Sequence, residues 1–246
     1  MLGLGMTIAL AWAYLLAGAG MDMGMDMPEM SGAQHAGAEA WSGRSVIVFA
    51  MWAAMMIAMM LPSAAPAILL FAALMRTRAS APAIASTAVF AAGYVLVWTL
   101  FSVVATVADV ALQRAALTSP AMRSTSGVLA GVLLVSAGVY QLTPLKNACL
   151  RHCRSPIQFF TRHWRPGTAG ALRLGLLHGG YCVGCCWALM GLLFLGGVMN
   201  LLWIAAIAAF ILVEKAAFVG TPVGRVASGA GMVLAGAGAL AVTWAR

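Results

Sequence analysis

The residues best suited to chemistry fall in one run, His178-Gly-Gly-Tyr181-Cys182-Val-Gly-Cys185-Cys186-Trp187-Ala-Leu-Met190. At about 100° per helical residue, Cys182 stands about 40° round from His178 and Cys185 about −20°, so the three share a narrow face. Cys186 at about 80° and Met190 at about 120° flank it. Thiols, thioethers and imidazole suit soft transition metals, Cu(I) first among them. A lone cysteine in an apolar helix is an ordinary small hydrophobe. Three so close together, one turn after a histidine at membrane depth, point to a metal or redox site.

Three further sets carry the same chemistry. Met51, Met55 and Met59 line one helical stripe, with Met56 and Met60 further round and Leu61-Pro62-Ser63 following. Packing and ligation explain that stripe equally well, because methionine is also a gap-filler. Cys149, His152 and Cys153 lie at i, i+3 and i+4, as either a reduced metal-capable site or an interfacial helix with incidental cysteines. Met21, Met23, Met25, Met27 and Met30 alternate with Asp22, Asp26 and Glu29 in a polar segment with no core to fill. Thioethers survive an oxidising compartment where thiols form disulfides, so this segment reads as exterior soft-metal capture, with His35 able to join. Glu214 adjoins Lys215; it snorkels to the interface, pairs locally with Lys215, or orients the far nitrogen of His178, as carboxylates do behind ligand imidazoles.

The elements that must position these groups follow from composition. Of 246 residues, 63% are apolar and 8% charged, with mean hydropathy +0.96, whereas soluble domains carry roughly 25% charged residues. Crossing a hydrocarbon core about 30 Å thick takes roughly 20 apolar residues in helical form. Lipid offers backbone amides no partner, and the long apolar runs lack strict alternation, so the spans are helices rather than strands. The fold class is therefore an all-α, polytopic transmembrane bundle of six or seven spans, near 2–20, 46–70, 84–108, 127–144, 171–195, 199–219 and 226–245.

Charge orients the bundle. Segment 21–44 is acidic, while Arg76 and Arg78, the run Lys146 to Arg173, and Lys215 with Arg225 mark basic connections. Basic loops remain in the cytoplasm, which places 21–44 on the outside and 145–173 on the inside of the membrane. The net charge of +8 is thus an orientation signal and calls for no nucleic-acid partner; the lipid bilayer is the partner it implies. The chain divides into a first helix or signal anchor (1–20), the exterior Met/Asp segment (21–44) and a helical metal-binding domain (45–246) with its basic loop 145–173. Gly127/Gly131, Gly175/Gly179 and Gly180/Gly184 have the spacing that lets helices approach closely. Pro62 and Pro66 interrupt the second span and free backbone carbonyls there.

At these residues the chain resembles the DUF2182 family of bacterial membrane proteins. The matching stretches are Trp52 to Ser63, Gly93-Tyr94-Val-Leu-Val-Trp98, Tyr140-Gln141-Leu-Thr-Pro144-Leu-Lys146, Cys149 to Arg154, the run His178 to Met190, and Glu214-Lys215. The resemblance implies an integral, multi-pass protein of the bacterial plasma membrane that binds metal, and it covers roughly residues 45 to 220. The Met/Asp segment lies outside it.

The reading that unites these features is a membrane protein binding Cu(I), or another soft transition metal, for acquisition, transfer or delivery to a copper chaperone or membrane cuproprotein. Two alternatives stand beside it: a thiol oxidoreductase using Cys182 and Cys185, and a scaffold with a structural metal site. A third thiol at Cys186 counts against the redox pair, because it invites misreaction. No haem attachment is present, since Cys186 stands where the histidine would be.

Overall fold

A computed structural model describes residues 2–16, 43–77, 83–118, 124–198, 200–215 and 222–244. They form ten helices: α1 (Leu2–Leu16), α2 (Gly43–Arg76), α3 (Ala83–Arg114), α4 (Gly127–Leu142), α5 (Pro144–Arg154), α6 (Pro156–His163), α7 (Gly167–Gly191), α8 (Leu193–Gly196), α9 (Leu201–Lys215) and α10 (Pro222–Trp244). Among the described residues there is no strand, and an isolated bridge joins Thr118 to Ser124. The all-α bundle expected from composition is the architecture found.

Among the described residues, four helical stretches are long and apolar enough to cross a membrane: α2, α3, α7 with α8, and α10. The α4–α5 pair, bent by 67°, makes a fifth if it is one broken span. The six or seven expected spans differ from this at α1 and α9. Each has 15 described residues, about 22 Å of helix against a core of about 30 Å.

The outward face of α3 is apolar. On α3 the exposed residues Leu96, Leu100, Val103, Val104 and Val107 form one stripe, while Phe90, Tyr94, Trp98, Ser102 and Thr106 point inward. The central helix is α7, with 56% of its apolar window buried against 11% for α10.

Glycine sets the closest approach. A Cβ on Gly175 would fall 2.1 Å from the Phe90 carbonyl oxygen, and one on Gly93 would fall 2.7 Å from that of Leu172. No larger residue fits where α3 and α7 cross, so the spacing anticipated at Gly175/Gly179 is used against α3. Gly127 and Gly131 instead face Thr243 and Leu240 of α10, and Gly180 meets open space.

The stretch expected as the basic loop 145–173 is largely helical and folded onto the bundle. Thr143 is extended, as a residue before proline must be, and its hydroxyl caps α5 by accepting from the Lys146 amide. This ends α4 and turns α5 across α7. Phe159 and Phe160 then bury α6 against Phe71, Phe90 and His178.

Candidate metal centre

Pro62 shapes the α2 wall of the site. It has no N–H to offer the Ala58 carbonyl four residues back, and the freed oxygen accepts a hydrogen bond from Trp12 Nε1 of α1 at 3.1 Å. Two residues on, the Met60 carbonyl accepts from Ser63 Oγ at 2.8 Å and from the Tyr94 hydroxyl at 3.0 Å. The proline break thus anchors α2 to α1, and the Met60 carbonyl separately ties α2 to α3 through Tyr94.

The same Tyr94 oxygen lies 3.1 Å from Cys182 Sγ. Lys215 donates to that sulfur at 3.0 Å and to Ser63 Oγ at 2.8 Å. Cys182 therefore sits at the junction of α2, α3, α7 and α9. One turn on, the Cys185 and Cys186 thiols both donate to the Cys182 carbonyl, at 3.1 and 2.9 Å.

Two other elements bring in further sulfur. Cys186 Sγ is 3.9 Å from Met60 Sδ, and Cys185 Sγ is 4.0 Å from Cys153 Sγ of α5. Cys149 Sγ packs onto α7 where a Cβ on Gly184 would stand only 2.8 Å away. All five cysteines are free thiols.

These separations suit a soft ion. Metal–thiolate bonds are about 2.3 Å, so sulfurs placed trigonally round one ion stand about 4 Å apart. Among the described residues, no three His, Cys, Asp and Glu side chains already form a group able to hold an ion. The observed sulfur contacts are two pairs, Met60 with Cys186 and Cys153 with Cys185. The thiols that donate to the Cys182 carbonyl would also lose their protons on metal binding, which releases them to turn.

A buried ion pair supports this cluster from behind. Lys146, fully buried, contacts both oxygens of Glu214 at 2.8 and 3.0 Å. Gln141 bridges the two by bonding each of them. Arg154 donates to the Glu214 carbonyl at 2.8 Å. Both ends of α5 are thereby tied to α9, and Cys153 is held between the two ties.

The other expected residues are distributed as follows. His178 is buried within an aromatic box, its ring centroid 5.3 Å from Phe159 and 5.8 Å from Tyr94. Its Nδ1 has no hydrogen-bond partner among the described residues. Glu214 is buried and engaged by Lys146, an arrangement that differs from snorkelling, from pairing with Lys215 and from a bond to His178. His152 stacks on Tyr181 with ring centroids 4.1 Å apart and planes 1° from parallel. Met51, Met55, Met59 and Met190 are buried in the apolar core. Met21, Met23, Met25, Met27 and Met30 lie outside the described residues.

Sequence reasoning passed over three participants. Met60 stood off the expected stripe, and no local signal set it apart from its neighbours. Tyr94 resembled any inward aromatic. Lys215 looked like a local partner for Glu214, although a cation closing an apolar helix signals a specific contact.

Residues 49–241 match the PpoB2 family, described as a copper chaperone, and the chain belongs to that family. The resemblance to DUF2182 rests on its motifs alone. No curated protein and no solved structure matches the chain.

Proposed function

We propose that this member of a copper-chaperone family is a membrane Cu(I) carrier whose cargo site is the sulfur cluster of Met60, Cys153, Cys182, Cys185 and Cys186. One observation carries the reading: sulfurs from three separate helices meet in two pairs, at 3.9 and 4.0 Å, through the two thiols that bond the Cys182 carbonyl. Core packing needs no such convergence, and thiolate with thioether is the donor set that selects Cu(I).

The surrounding residues have roles in this reading. Lys215 supplies positive charge beside Cys182, offsetting the negative charge that bound thiolates bring into a medium of low dielectric. Tyr94 has one proton for two acceptors, so it can serve the Met60 carbonyl or the sulfur as the ion arrives. His178, one turn from Cys182 on the same helix face, is an accessory ligand reached by ring rotation. Met51, Met55 and Met59 line the approach through α2, and the Met21–Met30 segment captures the ion outside. Cys149 and His152 flank the exit at α5, on the cytoplasmic side of a bacterial plasma membrane. The cargo passes to a soluble copper chaperone or a membrane cuproprotein.

Metal content and Cu(I) competition titrations on anaerobically purified protein test the proposal. Cys182→Ser and Cys185→Ser should each abolish tight binding, whereas His178→Ala should keep the stoichiometry with less than about tenfold loss of affinity. A metal-free wild type with a Cys182–Cys185 disulfide in cells would replace this reading with the thiol oxidoreductase.

A further inference from the structure

Beside the sulfur cluster, α5 and α6 enclose an open cleft lined by Arg151, His152, Ser155, Gln158, Phe159 and Arg162. Arg151, Gln158 and Arg162 are exposed, while Phe159 is buried and forms the floor. Neither Arg151 nor Arg162 has a salt-bridge partner among the described residues. The chain has few acids to give them. Of its six Asp and Glu residues, Glu214 is held by Lys146 and Asp109 by Gln113; the other four precede residue 43.

The cleft is joined directly to the metal centre. His152, in its wall, stacks on Tyr181, the neighbour of Cys182. Cys153, next in sequence, is half-buried and touches Cys185. Cys182, Cys185 and Cys186 are all buried, which leaves Cys153, one residue from His152 of the cleft wall, as the least covered cysteine of the cluster.

We propose that this cleft is the exchange port of the carrier: a docking surface for a partner protein that presents carboxylates to Arg151 and Arg162 and a thiol to Cys153. Guanidinium forks bind carboxylates in bidentate fashion, and complementary charge speeds encounter and sets register. Transfer is a ligand exchange. Each copper–sulfur bond broken on Cys153 is replaced by one to the partner's thiol, copper stays Cu(I), and the proton leaving the partner's thiol goes to Cys153.

The port rests on the Cu(I) reading for its purpose, but its charge chemistry is tested without copper. A fluorescent hexaglutamate peptide should bind the full-length protein in nanodiscs, weakening as salt rises. Arg151→Glu with Arg162→Glu should weaken it about tenfold or more, and the double lysine variant should retain most of it. In a second arm, loaded protein hands Cu(I) to anionic bathocuproine disulfonate or to uncharged neocuproine. The charge-reversed variant should slow the first about tenfold and leave the second within about twofold. Peptide binding that survives charge reversal overturns the port, as does equal slowing of both chelators. Displacement of the peptide by phosphatidylglycerol vesicles would make the cleft a lipid site and overturn the partner. Salt-sensitive peptide binding by a chain that holds no copper would sink the Cu(I) reading and leave the acidic docking surface standing.

Discussion

Glu214 and Lys215 are neighbours in α9 yet hold opposite walls of the thiol cluster. Glu214 takes Lys146 of α5 at 2.8 Å, and Lys215 reaches Cys182 of α7 at 3.0 Å. Successive helical residues point about 100° apart, so one dipeptide can brace two helices that do not follow each other in the chain. The arrangement separates their roles: Glu214 positions Cys153 through α5, while Lys215 acts on the sulfur itself.

Glu214→Gln should therefore destabilise the fold. It leaves the buried Lys146 ammonium without its counter-charge, which typically costs about 3–5 kcal/mol. Thermal unfolding in detergent reads the loss. A double change, Glu214→Leu with Lys146→Met, should recover most of it, because apolar replacement of a buried pair is often neutral. No recovery would mean that the pair does more than hold α5.

Lys215→Met should weaken Cu(I) binding with little change in melting temperature. Hydrogen bonds to charged groups contribute about 1.5–3 kcal/mol, roughly ten- to a hundredfold in affinity. Lys215→Arg keeps the charge and should fall between the two. Unchanged affinity in the methionine variant would remove Lys215 from the site.

Met60→Leu and Met59→Leu make a matched pair, since leucine conserves the volume at a cost below about 1.5 kcal/mol. Only the first removes a sulfur that lies beside Cys186. Copper affinity should drop for Met60→Leu and hold for Met59→Leu, as measured by chelator competition. The reverse order would move the site onto the Met51, Met55, Met59 stripe.

Gly175→Ala should destabilise the bundle by about 1–3 kcal/mol or prevent its assembly. Its Cβ would stand 2.1 Å from the Phe90 carbonyl oxygen, a backbone atom that cannot turn aside. Gly180→Ala, on the same helix but facing open space, should be neutral or slightly stabilising. Comparing their melting temperatures checks whether the α3–α7 contact sets the position of Tyr94.

Deleting Met21 to Met30 should slow copper loading at limiting metal while leaving capacity at saturation intact. An exposed thioether cluster raises local supply without forming the deeper site. Equal loading by the deletion at the lowest copper concentrations would reduce the segment to a linker.

The helical architecture was legible in the chain because lipid admits few alternatives: long apolar runs with so few charges have to satisfy their own amides. The face shared by Cys182 and Cys185, the close-approach role of Gly175 and the break at Pro62 were equally local, each following from helical periodicity or from one residue's covalent shape. What completes the cluster was not local. Met60 reaches Cys186 across 126 positions and Cys153 reaches Cys185 across 32, and no spacing rule spans such separations. Cys149, His152 and Cys153 read as a site of their own until α5, turned by Thr143 and Pro144 and tied down by Glu214, lay across α7. Glu214 and Lys215 looked like partners because adjacent opposite charges usually are, yet each found a stronger geometry elsewhere. Periodicity determines which residues share a helix face; only the crossing of helices decides which faces meet.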